Sequence, residues 1–264
     1  MKIGFLGAGN IATALLSGIL REGIFSPGDI SVYDVLPEKA DAFCKRGVLA
    51  SSSPEELVKG SDAIILAVKP QNFTELLPCI HAVSSGKLFI SVAAGISINY
   101  IRAGLGEIPV VRVMPNLPMV YSCGVTVLCK SEDVSDAQFE LAKSIFSACG
   151  KIGVIDESLM NAMIAVHSSS PAFMFLFAKA VGDYAGAWGI DRDEAISLFA
   201  HAMLGSAKML IDSGNTCDEL INMVASPGGT TRAALNKFEE LNFCDTIIKA
   251  MNACTARAID LGAK

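Results

Sequence analysis

Gly7-Ala8-Gly9-Asn10-Ile11-Ala12 follows the short apolar run Lys2 to Leu6, and behind it Ala14, Leu15, Gly18 and Ile19 recur at helical spacing. A G-x-G-x-x-A segment between a strand and a helix is the fingerprint of a dinucleotide-binding turn. The first glycine permits the tight turn, the second lets a pyrophosphate approach the backbone, and the small Ala12 lets the helix pack on the sheet. Leu6, Gly7, Ala8, Gly9, Asn10 and Ile11 are therefore candidate cofactor contacts. The alternative is a glycine-rich turn with no ligand.

The pattern continues outward from this turn. Ile30 to Tyr33 reads as a second strand ending at Asp34, where such folds place the residue that meets the adenosine ribose. A carboxylate there accepts from a 2′-hydroxyl and repels a 2′-phosphate, so Asp34 leans to NADH over NADPH unless Lys39, Lys45 or Arg46 lies near enough to change the balance. It also fits a solvated strand end. The apolar run Ala63 to Val68 has the character of a parallel strand buried on both faces. It leads into Lys69 and Pro70, so Ala67, Val68, Lys69 and Pro70 should face the cofactor, with a plain loop charge as the alternative for Lys69. Leu88 to Val92 runs into Ala93-Ala94-Gly95, small residues that leave room for a flat ring. Pro109 to Val113 runs into Met114-Pro115-Asn116-Leu117-Pro118, whose Asn116 either serves a carboxamide or satisfies turn backbone. With Val48 to Ala50, Gly124 to Cys129 and Lys151 to Ile155, eight strands with intervening helices predict a doubly wound α/β sheet over residues 1–156.

From residue 157 the strand signals stop. Glu157 to Val166 reads as a helix ended by His167-Ser168-Ser169-Ser170-Pro171, and a second, from Pro171 through Trp188, is apolar on nearly all faces and expected to be buried. Capping signals at Asp191 and Thr216 open two more. Ser226-Pro227-Gly228-Gly229-Thr230-Thr231 then has the makeup of an anion-binding loop opening a helix, against a plain Pro-Gly turn capped by Ser226. A last helix runs from Phe243 to Leu261. Residues 157–264 thus form an all-helical domain.

Composition narrows the function. A chain of 264 residues that is 52% hydrophobic and 18% charged has apolar surface to hide, which predicts an oligomer. The most apolar region, Met160 to Ile190, is interrupted by polar and charged residues, so no membrane span is expected. The net charge of -6 and the absence of basic clusters exclude a nucleic-acid binder. Eight cysteines without C-x-x-C or histidine at metal spacing read as reduced core thiols and no metal site. With no leader at Met1, a cytoplasmic location is expected. Nothing resembles a nucleophile–base pair; His167 is the histidine to watch, as a structural group or a proton donor.

Five segments in order, Gly7-Ala8-Gly9-Asn10, Ala67-Val68-Lys69-Pro70, Ala93-Ala94-Gly95, Arg112-Val113-Met114-Pro115-Asn116 and Ser226-Pro227-Gly228-Gly229-Thr230-Thr231, make the whole chain resemble pyrroline-5-carboxylate reductase. The resemblance implies a Rossmann-like N-terminal domain binding NADPH or NADH, and a helical C-terminal domain that dimerises, with dimers assembling further into a decamer. It implies that a small imino acid lays its carboxylate on Ser226 and the backbone of the glycine pair Gly228, Gly229 and of Thr230, with Thr231 hydrogen-bonding the ring nitrogen as the catalytic residue. Ser169 and Glu157 match positions near the substrate. The chain departs from the pattern at His167-Ser168-Ser169-Ser170-Pro171-Ala172-Phe173, where the family usually has Ser-Gly-Ser-Gly-Pro-Ala-Tyr.

Three functions are therefore in play: reduction of pyrroline-5-carboxylate, reduction of another small cyclic imine, and a non-catalytic module sensing NAD(P)H. For the reductases, an imine that binds already protonated needs no general acid from the protein.

Overall fold

The computed structural model describes residues 1–262. The chain alternates β1 (Ile3–Leu6), α1 (Asn10–Arg21), β2 (Ile30–Tyr33), α2 (Pro37–Cys44), β3 (Leu49–Ala50), α3 (Pro54–Gly60), β4 (Ala63–Leu66), α4 (Phe73–Ile80), β5 (Leu88–Ser91), α5 (Ile98–Leu105) and β6 (Val110–Pro115), then β7 (Gly124–Lys130), α6 (Asp136–Ser147) and β8 (Gly150–Val154). The eight strands form one sheet, as the alternation of the sequence predicts, and their order is β3-β2-β1-β4-β5-β6-β7-β8.

Strands β1 to β6 run parallel; β7 is antiparallel to β6 and parallel to β8. The direction of winding changes between β1 and β4, where Leu6 pairs with Leu66. The crevice beyond their carboxyl ends is the place where such sheets take ligands.

Two apolar cores sandwich the sheet because side chains along each strand alternate in direction. Ile3, Phe5, Ile65 and Ile90 join Leu15, Ile19 and Phe146 on one face. Leu6, Ile64, Leu66 and Phe89 join Leu57, Phe73 and Ile101 on the other. Each such side chain contributes about 1.5–3 kcal/mol on burial.

Beyond β8 come a 3-10 turn (Glu157–Leu159), α7 (Met160–Met163), a π-turn (Ile164–Ser168), α8 (Ser170–Ala187), α9 (Arg192–Asp212), α10 (Cys217–Val224), α11 (Thr230–Glu240) and α12 (Phe243–Gly262). The chain divides into two compact units: Met1–Ser169 with the stretch from Cys254 onward, and Ser170–Ala253. Secondary structure changes character at residue 157, but the first unit continues to Ser169.

In the helical unit α8 packs on α9 through Phe177 and Phe199, whose rings lie 5.3 Å apart, and through an ion pair between Asp183 and Arg192 at 2.7 Å. Thr216 and Glu219 form the expected capping box of α10.

Two expectations need correction. The all-apolar helix α8 is not buried within its own chain: Phe175, Leu176, Tyr184 and Trp188 are exposed, and α9 buries no residue at all. Residues 157–187 and Arg192–Asp212 are also long and apolar enough, by length and composition, to cross a membrane, contrary to the expectation that no run qualifies. Both observations concern the exposed apolar side chains of these helices.

Candidate active site

At the carboxyl end of β1 the chain turns through Gly7, whose φ of +103° suits glycine alone and whose added Cβ would lie 2.6 Å from the Ala67 carbonyl oxygen. Its N–H donates to the Tyr33 carbonyl at 2.8 Å. Gly9 caps α1 without any side-chain hydrogen bond, and a Cβ there would meet nothing within 4 Å. The first intrahelical bond comes from the Thr13 N–H to the Gly9 carbonyl. The N–H groups of Asn10, Ile11 and Ala12 therefore lack helical acceptors, beside open space and at the positive end of the helix dipole. This cradle fits a pyrophosphate.

Asp34 stands at the end of β2, where its carboxylate accepts from the Ala8 N–H at 2.7 Å and the Leu36 N–H at 3.0 Å. It is fixed to the glycine turn, not loose at a strand end. Of the nearby cations, Arg46 is engaged with the Ser17 hydroxyl at 2.9 Å. Beyond β4, Ala67, Val68 and Pro70 are half-buried and Lys69 is exposed; beyond β5, Ala93 and Gly95 are buried and Ala94 half-buried.

In the helical unit, Ser226-Pro227-Gly228-Gly229 is a turn closed by the Gly229 N–H on the Ser226 carbonyl at 3.0 Å, with Gly228 at φ +73°. Proline second and a left-handed glycine third make it a type II turn. Gly229 caps α11 with no side-chain hydrogen bond, so Ser226 is not the cap. Because the Gly229 N–H closes the turn, the donors that α11 leaves without helical partners are those of Thr230, Thr231 and Arg232. Gly229 matters here for lacking a side chain: a Cβ would lie 2.7 Å from the Ser226 hydroxyl. Arg232 ties the turn to α10 through Asn222 at 2.9 Å and the Ala225 carbonyl at 3.3 Å. Thr231 is half-buried and lines an apolar groove of about 350 Å³ together with Met209, Leu210, Leu220, Val224 and Leu235.

A polar network ties the β6 end to the π-turn. Arg112, 3% exposed, donates to the Glu157 carboxylate and to the Asn161 side-chain carbonyl, each at 3.1 Å. Glu157 also accepts from the Ile98 N–H at 2.7 Å, capping the helix that follows Ala93-Ala94-Gly95. The carboxylate expected near the substrate thus serves an ion pair and a helix start. Asn116, also buried, donates to the His167 carbonyl at 2.9 Å and accepts from the Val125 N–H at 2.8 Å. Its amide satisfies backbone, the alternative that the sequence left open. His167 is buried, and its Nε2 lies 2.8 Å from the Met114 carbonyl. A carbonyl only accepts, so Nε2 carries a proton and donates.

The same segment corrects the expected single helix over 157–166. Pro171 has no N–H for the His167 carbonyl four residues earlier, and its ring crowds that carbonyl. The helix widens into a π-turn closed by the Ser169 N–H on the Ile164 carbonyl at 2.8 Å. The Ser169 hydroxyl lies 3.4 Å from the Cys254 thiol.

The family model for pyrroline-5-carboxylate reductase dimerisation matches residues 157–261, and one for NADP oxidoreductase, coenzyme F420-dependent, matches residues 2–95. The chain is 37% identical to the pyrroline-5-carboxylate reductase of Methanosarcina acetivorans, covering 100% of this chain and 98% of that one. It is 35% identical to the Escherichia coli pyrroline-5-carboxylate reductase, covering 97% of each. The chain belongs to the pyrroline-5-carboxylate reductase family. Among solved structures, Plasmodium falciparum pyrroline carboxylate reductase with NADP bound superimposes with a TM-score of 0.91 at 29% identity, covering 99% of this chain and 98% of that one.

The matched dimerisation region spans α8 to α11 and most of α12, which include the helices with exposed apolar side chains. The cysteines need a partial correction: all are free, but only Cys129 and Cys149 are buried, while Cys79, Cys123, Cys217 and Cys244 are exposed. Burial, and then the Glu157 charge, pushes the Cys129 thiol up to about 12, so it is no nucleophile. The role of Arg112 was missed from the sequence, although a lone charge inside Val110-Val111-Arg112-Val113 signals a buried partner. Pro171, four residues after His167, likewise marks a carbonyl in need of a donor.

Proposed function

We infer that this chain reduces 1-pyrroline-5-carboxylate to L-proline by hydride transfer from NAD(P)H, the last step of proline biosynthesis. The observation that carries this is the uncapped start of α11 behind the Pro-Gly-Gly turn, in a member of the family.

When bound, the nicotinamide supplies the hydride that reaches the imine carbon. The α1 cradle holds the pyrophosphate, with Ala67 to Pro70, Ala93 to Gly95 and Asp34 along the remainder of the dinucleotide. Asp34, already oriented by the Ala8 N–H, accepts from the ribose 2′-hydroxyl. On that ground we assign a preference for NADH over NADPH. The substrate carboxylate lies on the Ser226 hydroxyl and the N–H groups of Thr230 and Thr231, favoured by the α11 dipole. The Thr231 hydroxyl accepts from the protonated ring nitrogen. Binding the iminium form removes the need for a general acid, and the protein contributes chiefly placement. The active species is a homodimer formed through the apolar faces of α8 and α9, and the family resemblance extends it to a decamer. Free cysteines throughout support a cytoplasmic location.

A second reading keeps the chemistry and changes the substrate to another small cyclic imine, motivated by the altered segment 167–173. Steady-state kinetics of Thr231→Ala test the site. Its kcat should fall by roughly tenfold or more with cofactor KM unchanged, and Thr231→Ser should recover most of the loss. Wild-type rates in Thr231→Ala would remove Thr231 from the mechanism.

A further inference from the structure

Two residues at opposite ends of one hydrogen bond have no part in the chemistry above, yet they fix the segment that carries Ser169. The His167 carbonyl lacks its helical donor because the residue four on is Pro171. The Asn116 side chain supplies that donor at 2.9 Å. The His167 imidazole reaches back to the carbonyl of Met114, two residues before Asn116, at 2.8 Å. Between them the Ser168 hydroxyl donates to the Pro115 carbonyl at 3.3 Å. Three consecutive residues of the β6 end, 114 to 116, thus grip two consecutive residues of the π-turn, and Ser169 follows directly. Asn116 is itself held from behind by the Val125 N–H at 2.8 Å, so the grip is referred to the sheet.

We propose that Asn116 and His167 are positioning residues, a reciprocal clasp that sets Ser169 for the imino acid while leaving cofactor binding alone. This rests on the assignment of the chain as an imine reductase with Ser169 on the substrate side. It also accounts for the histidine at 167: a serine at that position is too short to span from the π-turn to the Met114 carbonyl, whereas an imidazole donates there through Nε2. The clasp gives Asn116 a different duty from that of a carboxamide ligand, because one amide hydrogen and the amide oxygen are already committed to the protein.

The test is a split between substrate and cofactor constants. His167→Leu keeps bulk and removes the donor; His167→Gln restores an N–H of similar reach; Asn116→Asp keeps the acceptor for Val125 and removes the donor to His167. His167→Leu and Asn116→Asp should each lower kcat/KM for pyrroline-5-carboxylate by roughly tenfold to a hundredfold, with the NAD(P)H dissociation constant within about twofold of wild type. His167→Gln should recover most of the loss. Amide exchange over residues 164–169 should quicken in His167→Leu and Asn116→Asp and not in His167→Gln. If His167→Leu does not fold, His167→Ala takes its place. Wild-type constants in the donor-less variants, or no recovery in His167→Gln, overturn the clasp. A rise in the cofactor dissociation constant of Asn116→Asp to match its substrate loss makes Asn116 a cofactor ligand and also overturns it. Absence of turnover in the wild-type protein removes the assigned activity instead; the clasp then stands or falls on the exchange rates.

Discussion

The Asp34 carboxylate takes the Ala8 N–H at 2.7 Å, joining the end of one strand to the middle of the glycine turn 26 residues earlier. The carboxylate is thereby pre-oriented, and ordering it costs nothing further when a ribose arrives. Asp34→Ser removes both its charge and its reach. The ratio of kcat/KM for NADH to that for NADPH should fall about tenfold, equivalent to ~1.4 kcal/mol. An unchanged ratio would show that the carboxylate serves the turn alone.

Arg112 and Glu157 form the second long-range tie. Arg112→Met strands a carboxylate that is about one-third exposed, which reduces the penalty below that of a fully buried pair; the loss of stability should be roughly 2–4 kcal/mol. Glu157→Gln keeps an acceptor for the Ile98 N–H but leaves the buried Arg112 guanidinium, 3% exposed, without its counter-charge, and should cost at least as much, roughly 3–5 kcal/mol. Urea unfolding of the two variants checks the order. A Glu157→Gln variant as stable as the wild type would mean that the charge pair does not carry the effect.

Gly229→Ala places a methyl 2.7 Å from the Ser226 hydroxyl. The substrate KM should rise by about tenfold while the cofactor KM stays within about twofold, because only the anion-binding turn is disturbed. A variant with both constants at wild-type values would detach the turn from substrate binding.

The apolar faces of α8 and α9 give a prediction about assembly. Leu176 and Trp188 are 67% and 71% exposed in the single chain, too much for side chains of that size outside an interface. Leu176→Lys combined with Trp188→Glu should yield a monomer by sedimentation, with activity lost alongside assembly. A double variant that sediments like the wild type would place the interface elsewhere.

The sheet was legible because its signals are local. All-apolar runs such as Ala63 to Leu66 have the composition of strands buried on both faces, and the glycine turn marks the crossover that follows. The type II turn at residues 226–229 was legible for the same reason, since Pro-Gly fixes its backbone without help from afar. The reversed direction of β7 was not, because strand direction is decided by how a connection crosses the sheet. The exposed apolar helix α8 escaped too: hydrophobicity on every face says that a helix is covered, but not whether its own chain or a second copy covers it. The duties of Glu157, Asn116 and His167 depend on partners 59, 51 and 53 residues away; Pro171 marks a carbonyl in need of a donor, but no local pattern says which residue supplies it.

The most direct test of the central claim is the oxidation of NADH and NADPH by the purified wild-type protein, with and without 1-pyrroline-5-carboxylate, followed by assay for proline. Oxidation that depends on the imine, with proline formed mole for mole, is the predicted result. Cofactor binding with no imine-dependent oxidation, or oxidation supported only by other cyclic imines, would contradict it.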